Sequence, residues 1–356
     1  MIARDELKIK SIEIILEGQD QSGAYTASPH FSPYKFSWIR DGSFIAYAMS
    51  VVGEIKSAEK FHNWVNENVL RREDRINDML LKINRENYPP GWALPARLNF
   101  DGTDDTSGWP THQIDGYGIW LWSVIEHAKC INDLSILSGY EKSIELVGHA
   151  LQCIWHKQCI DCWEEWGECV HTSTLACIYG GLKSAGRQGL LEADKTANEI
   201  KQYVLETLVY GGRLNKNTVY EGVDSSLLWV STPFSLLDVD DEIMQNTVKS
   251  IYGDLVRNHG VKRYRKDTYY GAGSWIILTA CLGWYESQLG NKNTAEKFLR
   301  WIEQKADDEG RLPEQVPEYL FAPEHYEPWA KRWGPIANPL LWSHAMYLIL
   351  QQELSL

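Results

Sequence analysis

The sequence has few basic residues and no clusters of them. It contains 35 Lys and Arg against 48 Asp and Glu, which gives a formal net charge of −13 at pH 7. A surface that binds nucleic acid needs grouped Lys and Arg side chains to neutralise the phosphates. The charge balance therefore excludes nucleic acid as a partner.

The sequence also lacks a long apolar run. No stretch approaches the roughly 20 residues that a membrane-spanning helix needs. The N-terminus, MIARDELKIK, carries alternating charges where a signal peptide would have an apolar region. We expect a cytoplasmic protein that makes no membrane contact.

An evenly spaced set of paired cysteines is missing as well. The seven cysteines are an odd number, and most of them lie between Cys130 and Cys177 in segments that read as helix or loop. Disulfide-stabilised secreted proteins are built differently. We expect reduced thiols.

Aromatic residues, in contrast, are abundant: the 356 residues include 16 Trp and 18 Tyr. Flat aromatic faces stack on the apolar faces of sugar rings, while their polar edges reach hydroxyl groups. Large helical cores use Trp too, so composition alone favours a sugar site and a helical core equally.

Apolar residues recur at helical spacing about every thirty residues, and no run of alternating strands is evident. The pattern predicts helices over 3–17, 41–54, 56–70, 113–130, 134–156, 171–186, 190–209, 239–257, 274–289, 292–305 and 339–354. Eleven segments suggest twelve helices, which as six pairs would form a ring with inner and outer members. The segments 118–125 and 275–284 are apolar all round, as inner helices should be. We find no linker, and expect residues 1–356 to form a single all-α domain.

Four loops combine carboxylates with aromatic residues, at 25–41, 101–115, 161–169 and 311–338. Irregular segments on a rigid helical frame commonly carry function. Hydrolysis of a glycosidic bond with inversion needs one protonated carboxyl and one carboxylate on opposite faces of the sugar. These loops are where such a pair should be sought.

The segment Asp161 to Glu168 places several carboxylates between Trp163 and Trp166. Apolar cover and like-charged neighbours both raise a carboxyl pKa, as a general acid requires. An acidic N-terminus of the following helix explains the same residues equally well.

Two other segments offer polar groups suited to a sugar. Trp38, Arg40 and Asp41 combine a stacking face, a fork of donors and an acceptor, although Asp41 is also a plausible helix cap. Glu314 beside Gln315 would let an amide help to orient a water molecule. Glu-Gln pairs are common on surface loops, so this pair alone is a weak signal.

Five short blocks, in the same order along almost the whole chain, resemble glycoside hydrolase family 15, the glucoamylases. Five motifs in order are far more specific than any one of them. The first block, SPYKFSWIRDG at 32–42, is similar to an aromatic-rich stretch of sugar contacts. The resemblance implies that four of its residues line the subsite for the non-reducing glucose: Tyr34, Trp38, Arg40 and Asp41.

The second block, Trp109 followed by Asp115, resembles the tryptophan loop of the family. The third, Trp163-Glu164-Glu165, resembles its general-acid block. The resemblance implies that Glu164 is the proton donor and that Trp109, Trp163 and Glu165 contact substrate.

The fourth block begins at Arg263-Tyr264 and is similar to the arginine loop, in which Arg263 would hold sugar hydroxyls. The fifth, Glu314-Gln315, resembles the general-base block, and Trp342 belongs to the helix that follows it. The resemblance implies that Glu314 is the catalytic base and that Gln315 and Trp342 are substrate contacts.

Together the blocks imply an (α/α)6 barrel without the β-sandwich domain that bacterial members often carry. They also imply an inverting exo-acting α-glucoside hydrolase that releases β-D-glucose from the non-reducing end. Its partner would be a small-molecule or oligosaccharide α-glucoside, and the reaction would need no metal or organic cofactor.

Two departures from the family pattern bear on the substrate. Thr111-His112 replaces an arginine-proline pair found beside the tryptophan loop of fungal starch enzymes. The insert at 316–335, rich in aromatic residues, would wall off the pocket beyond the first sugar. Both favour short substrates such as isomaltose over long starch chains.

Three alternatives remain open at this stage. Cys159 and Cys162 form a CxxC motif that occurs in zinc sites, although a second spaced pair is absent. The run from Asp238 to Asp241 matches the acidic motif of class II terpene cyclases, but it is better explained as a cap for a helix beginning at Glu242. Glucoamylase-like folds also occur as non-catalytic regulatory subunits of phosphorylase kinase.

Overall fold

The structure, a computed structural model, describes residues 2–83 and 93–355. Its α-helices are α1 (Arg4–Glu17), α2 (Ile39–Val51), α3 (Ile55–Leu70), α4 (Glu73–Lys82), α5 (Asp115–Cys130), α6 (Glu141–Ile154), α7 (Thr172–Arg187), α8 (Asp194–Thr207), α9 (Glu242–Leu255), α10 (Ile276–Gln288), α11 (Lys292–Glu303), α12 (Tyr326–Trp333) and α13 (Leu341–Ser355). Its strands are β1 (Ser37–Trp38), β2 (Arg97–Leu98), β3 (Val209–Tyr210), β4 (Arg213–Leu214), β5 (Val256–Arg257), β6 (Gly260–Val261), β7 (Ser274–Trp275) and β8 (Gln315–Val316).

Six segments form a closed inner ring. The helices α2, α5 and α7 contact one another in that order, the 3₁₀ segment Ser225–Val230 follows, and α10 and α13 lead back to α2. The outer layer consists of α1, α3, α6, α8, α9 and α11, so that inner and outer segments alternate along the chain. The predicted (α/α)6 barrel is therefore confirmed, and no β-sandwich lies in the described ranges.

The inner and outer helices differ in how much of their surface is buried. Every residue from Ile276 to Ser287 of α10 is buried, as is every residue of the segment 118–125 in α5. In the outer helix α11 only one face is buried. This contrast follows from the apolar patterns of the two kinds of helix, and it confirms the two inner segments that the sequence predicts.

Three parts of the helical prediction were incomplete. The twelfth member of the ring is the 3₁₀ segment Ser225–Val230, which is too short to show helical periodicity. The additional helices α4 and α12 were not predicted. The predicted helix over 134–156 is interrupted, because Asp133 caps a 3₁₀ turn at Leu134–Gly139 before α6 begins.

The short strands fix the loops that precede two inner helices. Strand β1 leads directly into α2 and pairs with β2. Strand β7 leads into α10 and pairs with β8, at the edge of a four-stranded antiparallel sheet. The loops at this end of the ring are thus tied to one another before the helices begin.

The acidic run before α9 is a helix cap, as the sequence predicts. The backbone N–H of Ile243 donates to Asp241 Oδ1 at 2.8 Å. The cysteines are free thiols, and no three metal-ligating side chains come together among residues 2–83 and 93–355. In the same ranges no helix has both the length and the apolar character needed to cross a bilayer.

Substituting Phe44 by Ala should strongly destabilise the barrel. Phe44 is fully buried, and its ring centroid lies 5.7 Å from those of both Trp229 and Trp342. A large-to-small change at such a site typically costs about 3–5 kcal/mol of unfolding free energy. Denaturant unfolding checks this, with Ile9→Ala on the exposed side of α1 as the matched control. Equal losses in the two variants would contradict it.

Candidate active site

One cavity of about 610 Å³ opens at the end of the ring where the inner helices begin. Arg40 and Asp41 lie in the first turn of α2, and Trp342 lies in the first turn of α13. The loops before α7 and α10 supply Glu164 and Trp275. The cavity thus collects residues from segments that are widely separated in sequence.

Glu164 stands in a tight loop that begins at Asp161. Its φ angle is +63°, a conformation that is uncommon for a residue other than glycine. The Glu164 N–H donates to the Asp161 carbonyl at 2.9 Å, and the Asp161 N–H donates to the Glu165 carbonyl at 2.9 Å. These bonds hold the loop in the shape that directs Glu164 into the cavity.

The Glu164 carboxyl is enclosed by the cavity wall. Its Oε1 accepts a hydrogen bond from Trp38 Nε1, and its Oε2 has no hydrogen-bond partner in the described residues. Burial raises the pKa of Glu164, while the cations Arg97 and Arg40 oppose the rise. A carboxyl in this position is disposed to carry a proton.

Glu314 is the second buried carboxyl in the cavity. Its Oε1 accepts a hydrogen bond of 2.9 Å from Tyr34 Oη, and Tyr34 Oη also lies 2.9 Å from Tyr269 Oη. Burial raises the pKa of Glu314 to about 7, against the opposing effects of the Tyr34 hydroxyl and Arg263. Glu314 lines the cavity, and its Oε2 is buried without a hydrogen-bond partner in the described ranges, so this oxygen keeps an unused acceptor position.

Arg40 and Asp41 form a buried pair, with Nε 3.1 Å from Oδ1. Arg40 also donates to Gln113 Oε1 at 2.7 Å, and its guanidinium lies 5.1 Å from the ring centroid of Trp342. These contacts fix a donor fork and an acceptor side by side in the cavity wall. Such a pair suits neighbouring hydroxyl groups.

Arg263 is held by a carboxylate and by aromatic faces. Its Nε donates to Asp267 at 2.8 Å, and its Nη2 lies 3.3 Å from Glu165 Oε1. The guanidinium carbon lies 5.3 Å and 5.2 Å from the ring centroids of Trp163 and Trp275. Its orientation is therefore fixed from several sides before any ligand binds.

Arg97 supports the site but escaped sequence reasoning. It is fully buried and donates to Asp105 at 2.6 Å and to the Trp109 carbonyl at 3.0 Å. Its guanidinium lies 4.3 Å from the Trp109 ring centroid, and its Nη1 lies 3.8 Å from Glu164 Oε2. An isolated Arg in the sequence gives no sign of such a role. Arg97 reaches the site because β2 pairs with β1.

The insert at 316–335 contributes helix α12 to the mouth of the cavity. Trp329, Arg332 and Trp333 line it, and Trp333 is 42% exposed. The Trp329 ring packs edge-on against Tyr269 with centroids 5.0 Å apart. The Arg332 guanidinium lies 4.8 Å from the Trp333 ring. A wall of aromatic groups thus stands beside the entrance.

The sequence-predicted site residues are placed together with one exception. Those that line the cavity are Tyr34, Trp38, Arg40, Asp41, Trp109, Trp163, Glu164, Glu165, Arg263, Glu314 and Trp342. Gln315 lies in β8 behind the wall, where its amide accepts from the Gly273 N–H at 3.0 Å. The side chain of Gln315 bonds to backbone groups and does not line the cavity, and its contact with substrate stays a prediction.

Known proteins share the fold of this chain and identify its family. The family model for glycosyl hydrolases family 15 matches residues 5–281 of this chain. An isomaltose glucohydrolase of Kribbella flavida is 40% identical over 360 residues, which span 99% of this chain and 93% of that protein. A glycosidase solved in complex with glucose superposes with a TM-score of 0.94 at 40% identity, covering 98% of this chain and 96% of that one.

A more distant structure extends the likeness in fold alone. The glucoamylase of Saccharomycopsis fibuligera superposes with a TM-score of 0.76 at 16% identity, covering 99% of this chain and 94% of that one. The helical ring is thus shared where most of the sequence has changed. The chain belongs to glycosyl hydrolases family 15, and it is a glycoside hydrolase built on an (α/α)6 barrel.

Proposed function

We propose that Glu164 is the general acid and Glu314 the general base of an inverting, exo-acting α-glucoside hydrolase. One observation carries this assignment: two buried carboxyls with raised pKa values, each with one oxygen that has no hydrogen-bond partner in the described residues, line the same cavity. Such a pair is what inversion requires. The reaction needs no cofactor.

In this mechanism Glu164 donates its proton to the glycosidic oxygen as the bond to the anomeric carbon breaks. Glu314 takes a proton from the water that attacks the same carbon from the opposite face. The product is β-D-glucose. Protonated Glu314 and ionised Glu164 then exchange protons with solvent to restore the starting state.

Arg40, Asp41 and Arg263 bind the hydroxyl groups of the terminal glucose in this proposal. All three are buried and already held by protein partners, so they lose little freedom when substrate binds. Trp163 and Trp342 offer faces to the ring, and Trp109 and Glu165 complete the wall.

The substrate in this proposal is a short α-glucoside such as isomaltose. Trp329, Arg332 and Trp333 stand at the mouth, where the second sugar of a longer chain would pass. The relative from Kribbella flavida, which spans nearly the whole chain, is an isomaltose glucohydrolase. Both facts support a preference for disaccharides over starch.

We further propose that residues 1–356 act as one catalytic domain in the cytoplasm. Contact between α1 and α13 joins the first and last helices of the barrel, which supports a single unit. The free cysteines suit a reducing compartment.

Glu164→Gln should abolish turnover of disaccharides while glucose binding is retained. The amide keeps the shape of the side chain but cannot donate a proton as an acid. General acid catalysis contributes about 10²–10⁴-fold in rate, so a loss of that size is expected in kcat. Steady-state kinetics and calorimetric titration with glucose check this, with Glu168→Gln in the same loop as the control. Unchanged turnover in Glu164→Gln would refute the assignment.

On the acidic side of its pH profile, kcat/KM should fall with an apparent pKa near 7. The base must be ionised to accept a proton, and its pKa is raised to about 7, so activity falls as pH drops through that value. Tyr269→Phe removes a hydroxyl that lowers this pKa, so the apparent pKa should rise. Tyr210→Phe, at a position 65% exposed, is the control. An apparent pKa at the ordinary glutamate value would contradict the assignment of Glu314.

Isomaltose should be hydrolysed with a higher kcat/KM than soluble starch, because α12 narrows the mouth. Initial rates on isomaltose, maltose and soluble starch test the preference. Proton NMR during the first minutes of reaction tests the stereochemistry, since inversion gives β-glucose before mutarotation. A clear preference for starch would reject the substrate proposal, and initial α-glucose would reject the mechanism.

A further inference from the structure

A single buried lysine lies behind the loop that carries Glu164. Lys216 is only 3% exposed. Its Nζ donates to Asp161 Oδ2 at 2.7 Å and to Asp224 Oδ2 at 2.5 Å, and it lies 4.3 Å from the ring centroid of Tyr264. A buried ammonium with two carboxylates is costly to assemble unless its partners are well placed. Each partner of Lys216 also holds a part of the loop that carries Glu164.

Asp161 holds the backbone of the loop that carries Glu164. Its Oδ1 accepts from the N–H groups of Trp163 at 3.0 Å and Glu165 at 2.9 Å. These two residues flank Glu164, so one carboxylate fixes the peptide units on both sides of the acid. Burial acts to raise the pKa of Asp161, but Lys216 beside it and further hydrogen bonds keep that pKa below its ordinary value. Asp161 is thereby kept as an acceptor.

The other two partners hold side chains of the same loop. Asp224 Oδ2 accepts from Trp163 Nε1 at 2.9 Å. Tyr264 donates its hydroxyl to Glu165 Oε2. The three side chains around the ammonium of Lys216 thus each bind a residue next to Glu164, and none of these side chains binds the Glu164 carboxyl.

We propose that Lys216 is a positioning residue for the general acid, acting through Asp161, Asp224 and Tyr264 to hold Glu164 in its positive-φ conformation. A non-glycine residue in that conformation persists only when its surroundings over-determine it. Lys216 is itself tied to the barrel, since its carbonyl accepts from the Thr172 N–H at 3.1 Å at the start of α7. Lys216 therefore links the loop that carries Glu164 to the inner helix α7.

This inference rests on the proposed role of Glu164, and it makes a distinct kinetic prediction. A misplaced acid slows substrates whose leaving group must be protonated. A substrate with a good leaving group, such as α-D-glucosyl fluoride, departs as fluoride and needs little help from the acid. Water still adds at the anomeric carbon and Glu314 still takes its proton, so that half of the mechanism is unaffected.

The test compares isomaltose with α-D-glucosyl fluoride in Lys216→Met. We expect kcat on isomaltose to fall by about 10-fold or more, and kcat on the fluoride to fall by less than about threefold. Lys183→Met, which removes a lysine paired with Asp194 at 2.8 Å on the far part of α7, should leave both rates unchanged. Equal losses on both substrates, or no loss on either, would overturn the proposal.

A second variant covers the case in which Lys216→Met does not fold. In Lys216→Met/Asp224→Asn the net charge of the buried cluster returns to that of the native protein, and the Asn oxygen still faces the Trp163 indole. The same selective loss on isomaltose is expected. Thermal unfolding and glucose titration establish that the folded fraction and the sugar pocket are intact.

Glu164→Gln, measured on the same two substrates, separates the two proposals. Selective loss in Glu164→Gln with none in either Lys216 variant would refute the role of Lys216 alone. Absence of selectivity in Glu164→Gln would instead refute Glu164 as the acid, and with it the basis of the inference.

Discussion

Burial of ionisable side chains at one end of the helical ring is the constraint on which the site depends. A charge removed from water is stable only when a partner of opposite sign or several hydrogen bonds compensate it. Arg40 with Asp41, Arg97 with Asp105, Arg263 with Asp267 and Lys216 with Asp161 meet that condition. The pair Lys216–Asp161 joins two loops, whereas Arg40 with Asp41 and Arg263 with Asp267 lie within a single segment, so neutralisation stabilises the cavity wall both locally and between loops.

The same burial acts differently on two carboxyls that have no hydrogen bond from a cationic side chain. Glu164 and Glu314 are enclosed by aromatic groups, and desolvation raises both pKa values. Each keeps one oxygen without a hydrogen-bond partner in the described residues. The charges that are paired shape the site, and the two carboxyls that keep an unused oxygen are the ones to which we assign the proton transfers.

Aromatic side chains lie against the buried cations of the site. Arg263 lies among the faces of Trp163, Tyr269 and Trp275, and Arg97 lies over Trp109. An aromatic face attracts a cation without adding a competing negative charge near the carboxyls. The abundance of Trp and Tyr therefore serves these cation contacts in addition to packing in the core, as between Phe44, Trp229 and Trp342.

The sequence by itself determined the all-α class, most helix positions and the short blocks that contain Glu164, Arg263 and Glu314, because helical periodicity and contiguous motifs are local properties of a chain. Only the tertiary structure revealed that Ser225–Val230 completes the ring, that the insert at 316–335 contains the helix α12, and that Gln315 lies behind the wall. The positions of Arg97, Lys216 and Asp224 at the site were likewise revealed only by the tertiary structure. A buried ion pair has no local signature, since the same residue types at the same spacings are common on solvated surfaces. The role of each of these three residues depends on which loops the closed barrel brings together.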